Sequence, residues 1–500
     1  MLATSVVLAP AQPASAQVDT SAADAIRLFT QGRVLSARDD LIGRLSHTED
    51  PRQRLRLLDT IVDVCIHAYA ADCAAQYTTA YIDALKKLNE PNEIARREQA
   101  RRGAYFFEST QLLIGVDPKK IIEEDKGLRF SSANVSLYVE HELLLGEAMA
   151  LSGDYVGSEQ HVDRVLSVIA SIKNANQSTY EVAWALCQTI SLLSLDNDAE
   201  RALGLYKTTG DFVAQALPAG SIDQARFRYI EASLLEEVGD VRNSSRSLAL
   251  EEGIIGKAEL EPSIKDYLLS SAYTLNAVDC IALGDRECAD LALKKHPLTA
   301  LYSVPGRTSQ SYNEVTYLAA RALVRASEGQ DDPTVAQALR ATAAVQTGIA
   351  GRQEIYEAVG EALSLPRGPE RARALRETGH TVLTAVRTLP GAAFGAWYRP
   401  GSIDRLIFGL SLGAMGDAPN EDEDAFELLQ LSGRTGTAFD TDALTILAQA
   451  RTETERRALH QALRLRARRD RLEREQLGQV IAQARRGGAY GPLQYDVGRQ

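Results

Sequence analysis

The sequence predicts an all-α chain, a superhelical solenoid of antiparallel helix hairpins followed by a long C-terminal helix. Three observations predict it. Aromatic residues make up only 6% of the 500 residues while Ala, Leu and Arg abound, a balance that favours helix over strand. A turn phrase recurs at a nearly constant interval along the middle of the chain. Near the end, residues 452–486 read as one Arg/Glu-rich helix with no glycine before Gly478.

The turn phrase has five copies: ALSGDYVGSEQHV, LSLDNDAERALGL, LEEVGDVRNSSRS, CIALGDRECADLA and VRASEGQDDPTVAQAL. Their turn residues are Gly153, Asn197, Gly239, Gly284 and Gly329, spaced by 44, 42, 45 and 45 residues. In each copy an Ala-rich helix ends at Gly or Asn, the residues that most readily adopt the left-handed C′ conformation. In four copies Asp comes next, placed to cap the following helix. The stretches around Gly32 (FTQGRVLSARDDLI) and over AYAADCAAQYTTAYIDAL follow the same plan more loosely.

A helix hairpin of this length cannot bury its apolar faces alone and must stack on its neighbours. The small-Gly-Asp-x-x-x-small turn resembles that of the tetratricopeptide repeat class, in longer units and without that class's Trp, Tyr and Pro positions. The resemblance implies an array over 17–350. The alternative is a non-repeating helical bundle.

The flanking segments read as follows. MLATSVVLAPAQPASAQ has a short apolar run, Pro13 and then Ala14-Ser15-Ala16, which fits a signal peptide over 1–16 cleaved after Ala16. It lacks a basic n-region, so a disordered tail is the other reading. Residues 351–418 hold further, irregular helical repeats broken by Pro and Gly. Residues 419–486 form a C-terminal helical segment, with an acidic loop and a helix start near Glu421 ahead of the long helix. Residues 487–500 form an irregular tail. No run of about 18 apolar residues follows the N-terminus, so no membrane span is expected.

Four of the five cysteines occur as two copies of C-x7-C, Cys65/Cys73 and Cys280/Cys288. With Asp285 as N-cap, Cys288 falls in the first turn of one helix and Cys280 in the last turn of the one before. Facing positions across the bend bring their Cα atoms within the ~7 Å that a disulfide requires. Two such bridges suit an oxidising compartment. The alternative is four buried thiols acting as small hydrophobes. Cys187, in EVAWALCQTI, reads as a core residue.

Candidate chemistry is sparse. The seven histidines form no H-x3-H or H-E-x-x-H pair. His141, between Glu140 and Glu142, reads as a surface residue, because adjacent helical side chains do not converge on one metal. LSGRTGTAFDTD (431–442) lacks the G-K-[ST] of a phosphate loop and reads as a helix break. C-x7-C lacks the close spacing of a zinc site. No catalytic, cofactor-binding or metal-binding residue is therefore expected, and the chain does not read as an enzyme. The formal net charge of −12 argues against nucleic acid. The arginines of the long helix alternate with acids, as in Asp470 with Arg474, which describes a solvated helix packed on one side.

Residues 424–477, DAFELLQLSGRTGTAFDTDALTILAQARTETERRALHQALRLRARRDRLEREQL, resemble a segment of bacterial CHAT-domain proteins. In that family a signal peptide and tetratricopeptide-like repeats precede a C-terminal caspase-like peptidase. Ala425, Phe426 and Gln430 match the AF-x-x-x-Q start, and 452–477 matches the long helix that follows. The family's catalytic His and Cys lie beyond that helix, and all five cysteines here precede it. The resemblance implies the repeat portion of such a system without the peptidase, while the signal peptide and cysteine pairs point to a periplasmic or secreted chain and the stacked hairpins to a protein or peptide as partner. The alternative is the precursor of a CHAT-type cysteine peptidase whose catalytic domain lies beyond Gln500.

Overall fold

The computed structural model describes residues 20–295 except 89, 115, 126–133, 153, 174–178, 196–198, 238–239 and 284, then 321, 336, 339, 352–388, 410–415, 424–425 and 476–484. Within the described residues the chain is helical throughout its regular structure. The helices come mainly in antiparallel pairs: α1 (Thr20–Thr30) with α2 (Val34–His47), α3 (Pro51–His67) with α4 (Ala71–Lys87), and α5 (Glu93–Leu113) with the short α6 (Pro118–Glu124). Then follow α7 (Val135–Ser152) with α8 (Tyr155–Ala170), α9 (Thr179–Leu195) with α10 (Ala199–Ala216), α11 (Ile222–Glu237) with α12 (Val241–Lys257), and α13 (Pro262–Ala282) with α14 (Arg286–Lys295). Further along, α15 (Arg352–Ser364) pairs with α16 (Pro369–Thr388).

Gly153, Asn197, Gly239, Gly284 and Gly329 lie outside the described residues, as do 1–16 and 487–500. The helices break around the first four of them, ending at Ser152, Leu195, Glu237 and Ala282 and resuming at Tyr155, Ala199, Val241 and Arg286. The residue after the break donates its N–H five residues back: Asp154 to Met149 O (2.9 Å), Asp240 to Leu235 O (2.8 Å) and Asp285 to Cys280 O (2.9 Å). This is the Schellman bond, which needs a left-handed residue just before the donor. Arg33 to Leu28 O (3.0 Å) and Ala70 to Cys65 O (2.9 Å) repeat it, with Gly32 (φ 76°) and, unusually, Tyr69 (φ 57°) in the left-handed position.

The caps follow the expectation in two of the three hairpins whose Asp is described, and Asp198 lies outside the described residues. Asp154 accepts from the Gly157 N–H (2.9 Å) and Asp285 from the Cys288 N–H (2.9 Å). Asp240 departs from it: its carboxylate accepts from the Asn243 side chain (2.7 Å) and makes no cap to the backbone. A neighbouring amide competes successfully for the same oxygen.

The Cα atoms of Cys65 and Cys73, and likewise of Cys280 and Cys288, are 5.7 Å apart, and their sulfurs stand at disulfide distance. The spacing has a local cause. In each pair the first cysteine is the residue whose carbonyl accepts the Schellman bond, and the second is the third residue of the next helix. The two places face each other across one type of turn. Cys187 is buried and free.

Each odd-numbered helix from α1 to α13 packs against the next odd one as well as its own mate, so the odd helices form a continuous layer. The cores join several pairs. One unites α7–α11 around Leu166, Ile190, Leu193 and Phe227, and takes in Leu477, Val480, Ile481 and Ala484 from the helical piece 476–484. The rest of the long helix expected over 452–486 lies outside the described residues. A second core joins α1–α5 to Ile222, Ile255 and Leu260.

The second core exists because the first hairpin meets the connection between α12 and α13. Leu35 N–H donates to Glu259 O (3.1 Å) and Glu259 N–H to Gly32 O (2.8 Å). Arg33 pairs with Glu259 and Arg38 with Glu261. A strictly one-dimensional array would contact only its neighbours; here residues far apart in the chain close on each other.

Candidate functional site

The odd-helix layer carries a concentration of charge that the hydrophobic periodicity of its helices does not explain. Arg102, in the middle of α5, contacts Asp63 on α3 and Glu140 on α7, with Asp59 at 3.4 Å. Its guanidinium also lies over the Phe106 ring, 4.6 Å from the centroid. The ring face stabilises the cation from the side the carboxylates leave open. Three carboxylates thus share one arginine.

That imbalance and the partial burial show in the acidities. Burial, opposed by Arg102, pushes the Asp59 carboxyl up to about 6 and Glu140 up to about 8. Glu181 on α9 rises to about 7, from burial and then from the charge of Asp63. Protons are therefore held here at pH values where surface carboxylates have lost theirs.

A second group lies where the end of α3 meets α9 and α11. The rings of His67 and Trp184 are 5.6 Å apart, with Phe29 of α1 beyond His67 at 6.1 Å. Arg226 of α11 stands over the Tyr69 ring at 4.4 Å. That contact accompanies the left-handed backbone of Tyr69, strain that a glycine would not carry. Asp223 accepts from the Tyr180 hydroxyl (2.7 Å). Its other oxygen, the Trp184 indole N–H and His67 Nδ1 have no hydrogen-bond partner among the described residues. Burial holds His67 below its usual range, so its imidazole is neutral at pH 7.

His141 corrects an expectation. It is 1% exposed, not on the surface. Helix α7 is apolar on nearly every side, with Leu137, Val139, Leu143, Leu144 and Leu145 all buried, so a polar residue within it must find partners. Nε2 meets Glu108 Oε2 at 3.1 Å and Asp125 Oδ1 at 3.3 Å, and these bonds push the imidazole up to about 9 against the opposing effect of burial. Glu142, the next residue, accepts from His161 Nδ1 (2.8 Å) and Arg164 Nε (2.6 Å).

No family model matches the chain, and no curated protein does.

The four paired cysteines that the sequence singles out lie at hairpin bends, and the five turn residues lie outside the described residues. The residues of the polar layer were missed because they come from successive odd helices. The detectable signal was indirect and partial: Glu140 and Glu181 fall on the largely apolar helices α7 and α9, whereas Asp59 and Asp63 share α3 with three arginines. Among the described residues no helix is long and apolar enough to cross a membrane.

Proposed function

We propose that the chain is an extracytoplasmic, tetratricopeptide-like helical scaffold that binds a protein or peptide through the polar layer of its odd-numbered helices. The observation that carries this reading is the excess of carboxylate around Arg102, whose one positive charge is shared by Asp63, Glu140 and Asp59. Such a surplus suits a cationic partner, a lysine- or arginine-bearing segment whose charge takes the place of the protons that Glu140 and Glu181 hold. Helix hairpins that recur every 42–45 residues support the repeat assignment. Two cysteine pairs at disulfide distance support a periplasmic or secreted location.

The test is titration of the full chain, in a Trp397→Phe background, with labelled oligolysine and oligoglutamate peptides of equal length, followed by the fluorescence of the remaining Trp184. Binding of oligolysine alone, weakened by salt and by the double variant Glu140→Gln/Glu181→Gln, is the expected result. Equal binding of both peptides, or of neither, removes the reading.

The resemblance of 424–477 to CHAT-domain proteins favours a more specific role: the recognition part of a caspase-like peptidase system. The peptidase would be a separate chain or a continuation past Gln500. Intact mass of the protein from its native host, with the reading frame beyond that residue, separates the two.

A further inference from the structure

We propose that Glu108, Asp125 and His141 form a binding site for a divalent transition-metal cation of the zinc class, held by one imidazole nitrogen and two carboxylate oxygens. The three come from different elements: Glu108 from α5, Asp125 from the C-cap of α6 and His141 from the middle of α7. One ligand atom of each lies within 4.8 Å of the other two.

The spacing fits a metal polyhedron. Bonds of about 2.0–2.1 Å arranged tetrahedrally put ligand atoms about 3.3 Å apart. The Nε2 atom stands 3.1 Å from the Glu108 oxygen and 3.3 Å from the Asp125 oxygen. The charge fits as well. Once the cation has displaced the imidazole proton, two carboxylates and a neutral imidazole sum to two negative charges, which a divalent cation cancels, leaving no net charge in a largely buried place. An imidazole nitrogen carries at most one proton for the two oxygens that approach it, whereas a cation serves all three atoms at once.

The frame is rigid. His141 is 1% exposed between packed leucines of α7, and Ile121, fully buried, anchors the short α6 that delivers Asp125. Preorganisation of this kind lowers the cost of binding. One nitrogen with two oxygens selects the borderline first-row metals over calcium, which takes six to eight oxygens. Three protein ligands leave a position for water, and a bound cation would tie α5, α6 and α7 together. The site is separate from the odd-layer charges around Arg102 and does not depend on the peptide-binding reading.

The experiment uses the full chain, stripped with chelator and dialysed, then titrated with Zn²⁺ by calorimetry and with Co²⁺ by visible absorption. A single site per chain with tetrahedral Co²⁺ bands is expected, with a rise in Tm on loading. His141→Gln and Glu108→Gln should each weaken binding by at least about tenfold while the circular dichroism stays that of the parent. Asp125→Asn, on the more exposed ligand, provides the same comparison if either buried variant fails to fold. No stoichiometric Zn²⁺ binding, or variants that bind as tightly as the parent, would overturn the assignment; the latter would place the cation on other groups.

Discussion

Arg33 and Glu259 form an ion pair of 2.9 Å across 226 residues of sequence. Around it run two backbone hydrogen bonds, so the contact joins the first hairpin to the connection between the sixth pair and α13. The ion pair itself is half exposed and contributes little. Arg33→Ala should cost less than about 1 kcal/mol in urea unfolding. Gly32 is where the junction is sensitive: its φ is 76°, and a Cβ there would run into the Gly220 carbonyl oxygen. Gly32→Ala should cost about 2 kcal/mol or more. Gly253→Ala, in an open helical position, should stabilise by roughly 0.5–1 kcal/mol. Equal effects at the two glycines would contradict the closed arrangement.

The cysteine pairs predict a specific alkylation pattern. Without reductant, one thiol of five should react in denaturant, and it should be Cys187. Each bridge closes a short loop and should contribute about 2–3 kcal/mol, measured as the loss of stability in Cys65→Ser/Cys73→Ser and in Cys280→Ser/Cys288→Ser.

Glu181 gives the odd-helix layer a pH dependence of definite sign. Its folded-state value, about 7, lies above that of an unfolded glutamate. The stability it contributes is therefore complete below the unfolded value and is lost as pH rises through about 7. Glu181→Gln should flatten this part of the profile, leaving the variant more stable than the parent at pH 8 by up to roughly 2 kcal/mol. The advantage should vanish at pH 4. An advantage that persists there would mean that burial of the charge is not its source.

The helical piece 476–484 enters the core of α7–α11, with Leu477 fully buried and Val480 1% exposed. Thr179 at the start of α9 donates to the Ala484 carbonyl (3.0 Å). Leu477→Ala should cost about 2–5 kcal/mol, and removing the segment should lower the Tm of the chain. A truncated chain with unchanged Tm would show that the segment does not dock in solution.

Phe106 and Phe107 are neighbours with opposite fates. Phe106 is fully buried beneath Arg102, whereas Phe107 is 44% exposed. Phe106→Ala should cost about 3–5 kcal/mol and Phe107→Ala under about 0.5 kcal/mol, read from chemical denaturation.

The helices were legible because their signals are local. A glycine followed by Asp marks a Schellman turn at Asp154, Asp240 and Asp285 and the next cap at Asp154 and Asp285, all settled within about six residues of chain. The cysteine spacing was legible for the same reason, since it equals the distance across one such turn. His141 was misread because its neighbours Glu140 and Glu142 drew attention along the helix. Its partners, Glu108 and Asp125, come from elsewhere, and the apolar run around it was the better guide.

Sequence by itself determined the helical class, the hairpin breaks and the cysteine pairing, since each rests on hydrogen bonds and side-chain reach within a single turn. Tertiary structure alone decided that Gly32 meets Glu259, that three carboxylates share Arg102, and that Glu108, Asp125 and His141 converge. These depend on how the odd-numbered helices stack and where the first hairpin meets the α12–α13 connection. Summed packing over many residues sets that stacking, and no single stretch of the chain encodes it.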